Sequence, residues 1–206
     1  MPGIFITFEG VEGAGKSTQI ALLRDALTEQ GFKVFSTREP GGGPIGEAIR
    51  SILLAREHTV GDRTELLLFL AARAQLTDEE IKPRIAANEI VLCDRYIDST
   101  TAYQGYARGH DLELVRELNA FATGNLKPHL TVLLDLEPTV GLQRQQDHNR
   151  MEAQSLAFHQ RVREGFLKIA AEEPERFRVI DASESPDRIH KQILEEVTRT
   201  LQAHGA

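Results

Sequence analysis

Apolar residues recur along this chain in two alternating rhythms. Short runs dense in β-branched and aromatic side chains, at residues 4–8, 33–37, 90–93, 130–134 and 178–180, are separated by longer stretches whose apolar positions repeat every three or four residues. The runs predict strands and the stretches predict helices. Four of the five runs are continuously apolar, as strands covered on both faces should be, and each intervening stretch is long enough for a crossover. The expectation is an α/β protein with a mostly parallel sheet flanked by helices on both faces.

Ile20, Leu23 and Leu27 mark one helix, and Leu66, Phe69, Leu70 and Leu76 mark another, for which Asp62-Arg-Thr-Glu65 has the spacing of a capping box. Further helices are predicted over 45–55, 99–105, 111–123, 139–146, 152–172 and 186–204, with Pro138 and Pro186 suited to first turns. The polar stretch 143–150 fits neither rhythm and reads as a mobile segment or a solvated turn. No repeat or linker divides the chain, so residues 1–206 are expected to form a single domain; with 41% hydrophobic residues they can bury one core.

Charge and composition narrow the partners. A formal net charge of −7 argues against binding a nucleic-acid backbone or an anionic membrane surface, leaving small molecules. No apolar run approaches the roughly 20 residues that span a bilayer, and the N-terminus lacks a secretory pattern, so a soluble, cytoplasmic protein is expected. The single cysteine, Cys93, lies in an apolar run and reads as a buried, inert thiol.

Candidate chemistry begins at Gly10-Val11-Glu12-Gly13-Ala14-Gly15-Lys16-Ser17, followed by Thr18. It matches G-x-x-x-x-G-K-[ST] between a predicted strand and a predicted helix, the context the motif requires. Glycines let the backbone wrap phosphate oxygens, and successive N–H groups with the positive helix end hold negative charge. Lys16 is then expected at the β- and γ-phosphates and the Ser17 hydroxyl on Mg²⁺.

Phosphate binding alone does not select a reaction, and three further groups of residues do more. Asp94 and Arg95 follow the third run, at the edge where open α/β sheets take their ligands; Asp94 is suited to the metal's water shell and Arg95 to spanning two phosphates. Arg38-Glu-Pro-Gly-Gly-Gly43 follows the second run and forms either a ligand-facing loop or a plain surface turn. Phe69 and Arg73, four residues apart, share an apolar helix face. Phe69 stacking on a base that Arg73 contacts would explain an arginine there; snorkelling to the edge of the face is the other reading.

Together these residues resemble the bacterial thymidylate kinases. The resemblance rests on residues 8–18, on Arg38-Glu-Pro-Gly-Gly42, on Phe69 with Ala71-Ala-Arg-Ala-Gln75, and on residues 94–104, in order along nearly the whole chain. It implies a P-loop nucleoside-monophosphate-kinase fold with a five-stranded parallel sheet, and MgATP-dependent conversion of dTMP to dTDP by a homodimer. It also implies that Phe69 stacks on thymine and Arg73 contacts it, that Ser99, Thr100 and Gln104 line the base side, and that Tyr103 crowds the sugar. Arg95, Arg50 and Glu39, beside Pro40, would organise the acceptor phosphate.

The chain also departs from that family. Position 12 is Glu where some relatives carry an arginine, so a late lid around 143–152 is expected to supply the missing cation, from Arg144 or Arg150. That lid looks shortened, with Asn149 where an Asp is usual. Gly43 replaces the usual Thr, removing an expected hydroxyl contact. A kinase for another nucleoside monophosphate or a deoxynucleoside remains open, as does a P-loop nucleotide switch, although the chain lacks an Asn-Lys-x-Asp guanine-reading sequence.

Overall fold

Strands form at all five apolar runs: β1 (Ile4–Glu9), β2 (Val34–Arg38), β3 (Ile90–Asp94), β4 (Leu130–Asp135) and β5 (Phe177–Asp181). The computed structural model describes residues 3–144 and 150–205. Every neighbouring pair of strands is parallel, in the order β2-β3-β1-β4-β5. Each strand ends at its carboxyl edge in a charged residue: Glu9, Arg38, Asp94, Asp135 or Asp181. The apolar pattern stops one residue short of these because the ladder continues to the rim of the sheet, where side chains other than that of buried Glu9 leave the core.

Alternation sorts β1 onto two cores. Ile4, Ile6 and Phe8 join the larger cluster with α1 (Lys16–Glu29), α8 (Leu156–Glu172) and α9 (Pro186–Ala203). Phe5 points the other way, against Val91, Cys93, Leu76 and Ile81. All of these strand residues are fully or almost fully buried, as the continuous runs require. α2 (Gly43–Leu54), α3 (Asp62–Leu76) and α6 (Leu112–Thr123) complete the covering layer, with a smaller apolar seam of Leu66, Leu70, Val115 and Ala122 between α3 and α6.

Several elements differ from the pattern-based expectation. α3 continues through a π-helical stretch, Thr77–Ile81, into α4 (Lys82–Ala86), where Lys82 pairs with Asp78 and Arg84 with Glu80 one turn apart. The helix expected over 99–105 is α5 (Ile97–Thr100) running into a π-helical stretch, Thr101–Ala107. α7 (Pro138–Gln143) ends just before Arg144, and α8 begins only at Leu156, capped by Ser155, whose hydroxyl accepts the N–H of Phe158. Residues 145–149, including Asn149 and the middle of the expected lid, lie outside the described residues.

The capping box does not form. Gly61 precedes α3 with no side-chain cap, and Glu65 is fully buried, turned inward to Gln104, Arg108 and Arg150. A carboxylate with cationic partners in the interior gains more than one reaching back to a solvated backbone N–H. No helix among the described residues is long and apolar enough to cross a membrane.

Candidate active site

The loop after β1 wraps as its glycines allow. Gly10, Gly13 and Gly15 have φ of 139°, 71° and 90°, conformations that L side chains rarely adopt. A Cβ on Gly10 would stand 2.4 Å from Leu134 O, and one on Gly13 2.1 Å from Gly141 O. Gly15 turns the chain into α1. Buried Lys16 lies back across the loop, its Nζ donating to Gly10 O at 3.1 Å and Val11 O at 2.9 Å. Ser17 Oγ donates to Asp94 Oδ2 at 3.2 Å, bringing the two expected metal-side residues together.

A cavity of about 640 Å³ opens at this edge of the sheet. Residues 12–18 line it on the P-loop side; Gly10 and Val11 stand behind the rim and supply the carbonyls that hold Lys16. Glu39, Pro40, Arg50, Phe69, Arg73, Asp94, Arg95, Ser99, Thr100, Tyr103 and Gln104 line the remainder of the expected site. One space therefore joins the phosphate loop to the aromatic pocket.

Arg95 stands between the two halves. Its φ of 71° places it in the left-handed region, where a non-glycine residue is strained. Buried Glu9 holds this turn: Oε1 accepts the N–H of Tyr96 at 2.8 Å and of Ser99 at 3.3 Å, and Oε2 accepts Ser99 Oγ at 2.6 Å. So fixed, the Arg95 guanidinium donates to Gly10 O, Ser99 Oγ and Glu12 Oε1, the last at 2.7 Å. The Tyr103 hydroxyl donates to the same Glu12 oxygen at 3.2 Å. Burial pushes the Glu12 carboxyl upward, but the positive charges of Arg95 and Lys16 prevail and bring it down to about 2.

At the aromatic end of the cavity, Arg73 is 1% exposed, so it does not snorkel. Its Nε and Nη2 meet Glu39 Oε2 at 2.8 and 2.6 Å, Nη2 also donates to Tyr96 O, and Nη1 donates to Thr100 Oγ1 and Asn119 Oδ1. All five N–H groups have protein partners, so a base carbonyl would have to share one already engaged. Arg50 Nη1 donates to Pro40 O at 2.8 Å, tying α2 to the loop after β2. Gly43 has a φ of 82° and open space where a Cβ would stand, so backbone strain rather than crowding is what a threonine there would meet.

The two arginines expected in a lid separate. Arg144 lines the cavity, with Nη1 donating to Gly13 O at 3.1 Å. Arg150, expected beside the transferred phosphate, is placed elsewhere. Its Nε donates to Leu53 O at 2.7 Å, its N–H to Leu54 O, and its Nη1 pairs with Glu65 at 2.7 Å. The carbonyls ending α2 and a buried carboxylate outcompete open solvent for its donors.

Pattern reading missed Gln19, Ala182, Glu184, Pro186 and Ile189, which also line the cavity. Their signal was position: residues 182–186 follow β5 at the same carboxyl edge, and Gln19 Nε2 reaches Pro186 O at 2.9 Å.

A P-loop at the carboxyl edge of a parallel sheet, joined through an arginine to a second pocket, defines a phosphotransferase of the P-loop nucleoside-monophosphate-kinase fold. The family model described as thymidylate kinase matches residues 8–193. The chain is 51% identical over 209 residues to a thymidylate kinase of Geotalea uraniireducens (97% of this chain, 98% of the relative). It is 50% identical over 210 residues to one of Solidesulfovibrio magneticus (96% and 100%). The crystal structure of thymidylate kinase from Ehrlichia chaffeensis superposes with a TM-score of 0.79 at 34% identity, covering 96% of this chain and 99% of that one. The chain belongs to the thymidylate kinase family.

Proposed function

We propose that the chain transfers the γ-phosphoryl group of MgATP to dTMP, giving ADP and dTDP. The observation that carries this reading is the continuous cavity from the P-loop past Arg95 to Phe69 and Gln104, the arrangement that a donor and an acceptor lying end to end would need. The triphosphate lies along residues 12–18, backed by Gly10 and Val11, with its base toward Ala182, Pro186 and Ile189. Thymine lies against Phe69, beside Arg73, Ser99, Thr100 and Gln104, with Tyr103 against the sugar. Glu39, Pro40 and Arg50 flank the acceptor phosphate.

In the reaction, an acceptor phosphate oxygen forms the new P–O bond in line as the bond from the γ-phosphorus to the β,γ-bridging oxygen breaks, and ADP leaves. The work of the protein is alignment and charge neutralisation. Lys16 exchanges its two backbone carbonyls for phosphate oxygens. Arg95, aimed from its strained turn, bridges the two substrates, and Glu12 with Tyr103 sets its direction. Arg144, at the P-loop carbonyl of Gly13, takes the place of the cation that position 12 lacks.

The residues fit Mg²⁺. Asp94 Oδ1 is buried without a hydrogen-bond partner among the described residues, and its other oxygen is held by Ser17. Ser17 and Asp94 would hold the ion directly or through water, and Mg²⁺ needs few protein ligands when phosphates and waters complete its shell. Bound there, it would screen the β- and γ-phosphate charge.

A homodimer suits the exposed apolar side chains on α3 and α6: Leu67, Leu114 and Phe121, the last 88% exposed. The testing experiment is ADP release from MgATP with dTMP, dUMP, dCMP, dGMP and dAMP offered separately, with Lys16→Ala as control. Release stimulated foremost by dTMP supports the reading; equal release with every acceptor, or with none, rejects it.

A further inference from the structure

We propose that Glu65 is a positioning residue that selects the acceptor's base, by fixing which end of the Gln104 side-chain amide meets the cavity. This rests on the dTMP reading above and names the residue that enforces it. Glu65 lies two helical turns before Arg73 and one before Phe69, on the same side of α3, but beneath the pocket rather than in it: it is fully buried and does not line the cavity.

The geometry leaves little choice. Glu65 Oε2 is 2.7 Å from Arg150 Nη1 and 3.2 Å from Arg108 Nη2, and Oε1 accepts Arg108 Nε at 3.3 Å. Arg108 also approaches Asp62 at 3.5 Å and Gln154 Oε1 at 3.2 Å. Two guanidiniums around one buried carboxyl keep it ionised. Burial raises the Glu65 carboxyl, but the hydrogen bond from Gln104, the charge and hydrogen bonds of Arg108 and the hydrogen bond of Arg150 outweigh it and lower it overall.

An ionised carboxylate only accepts hydrogen bonds. Gln104 must therefore direct its Nε2 at Glu65 Oε1, 2.9 Å away, and the amide cannot turn over without setting oxygen against oxygen. The carbonyl end, Oε1, then faces the cavity that Gln104 lines. A base edge with an N–H, such as the N3–H of thymine or uracil, completes that acceptor. Cytosine presents a lone pair at N3 and leaves two acceptors opposed. Arg73 cannot make this distinction alone, since its donors are all engaged. Arg150 thereby acquires a role away from the phosphates: its 2.7 Å contact helps to keep Glu65 an acceptor.

Glu65→Gln inverts the arrangement. The new amide turns its oxygen to the arginines and its NH₂ to Gln104, so Gln104 turns over and shows NH₂ to the cavity. The experiment measures kcat/KM for dTMP, dUMP and dCMP with MgATP in the full-length wild type, Glu65→Gln, Gln104→Leu and the double variant, with Tm recorded for each. Polar mismatch in a closed site discriminates strongly, so the dTMP-to-dCMP ratio should fall by about tenfold or more in each single variant. The dTMP-to-dUMP ratio should not change, because both bases carry N3–H, and a purely structural loss would lower all three substrates together. The double variant should lose no more than Gln104→Leu, the signature of one shared interaction.

A folded Glu65→Gln that keeps the wild-type dTMP-to-dCMP ratio overturns the proposal while leaving the kinase reading intact. Should that variant not fold, an unchanged ratio in Gln104→Leu overturns it equally. A wild type that does not phosphorylate dTMP removes both.

Discussion

Gly13 and Gly141 meet backbone to backbone: a Cβ on Gly13 would stand 2.1 Å from Gly141 O, and one on Gly141 2.1 Å from Glu12 O. The P-loop is thus seated directly on α7. That close approach puts Arg144, which follows α7, within 3.1 Å of Gly13 O. Gly141→Ala must push the two elements apart. The expected cost is about 1–3 kcal/mol of stability, as for other overpacked sites, with a raised KM for ATP. Thermal unfolding and ATP titration check it; an unchanged KM would mean the loop is positioned independently of α7.

The same contact separates the roles of the two late arginines. Arg144→Ala should lower kcat by ~10³, the scale of a lost transition-state arginine, with ATP affinity nearly kept. Arg150→Ala should leave kcat within about tenfold, since its donors serve Glu65 and the end of α2, and should instead lower Tm by exposing a buried carboxylate to partial loss of its charge partners. Steady-state kinetics on both variants decide this, and the reverse ranking would return Arg150 to the phosphates.

Glu12 is expected to act through Arg95 rather than on substrate. Glu12→Ala removes the 2.7 Å partner that directs the guanidinium and the acceptor of the Tyr103 hydroxyl. Turnover should drop by about tenfold or more while KM for ATP moves less, because alignment is lost and binding is not. A variant whose KM for ATP rises as steeply as kcat falls would show that Glu12 shapes the loop instead.

Glu9 links the site to pH. Burial, then the nearby charge of Asp98, raises its carboxyl from an ordinary 4.5 to about 8. Between those values the native protein holds a proton that the unfolded chain has released, carried on Oε2 so that the contact with Ser99 Oγ then runs from Glu9 to the hydroxyl, and stability should fall as pH rises, by up to about 1.4 kcal/mol per pH unit. Glu9→Gln keeps the accepted N–H bonds and should flatten that slope. Urea unfolding midpoints from pH 5 to 8.5 test it; equal slopes in the two proteins would show that Glu9 stays ionised.

The chain's order of apolar runs and stretches determined the parallel α/β sheet, and one contiguous segment, residues 10–17, carried the expectation of phosphate binding. Both are local: strands read from their own burial, and a phosphate cradle is made of successive N–H groups and the helix they begin. Resemblance extended this reading to Phe69, Arg73, Arg95 and Gln104. Packing decided the rest. The spacing of Asp62 and Glu65 fits a helix cap, yet Glu65 is buried because Arg108, Arg150 and Gln104, 39 or more residues away, converge on it. Gly141 carries no mark in the sequence, because its requirement comes from Glu12 O on another element. Arg144 and Arg150 look alike in one polar stretch, and only the carbonyls and carboxylates that the fold brings near each one distinguish them. Local patterns fix which elements form, whereas the partner of a buried charge is whatever the tertiary structure places within hydrogen-bonding reach.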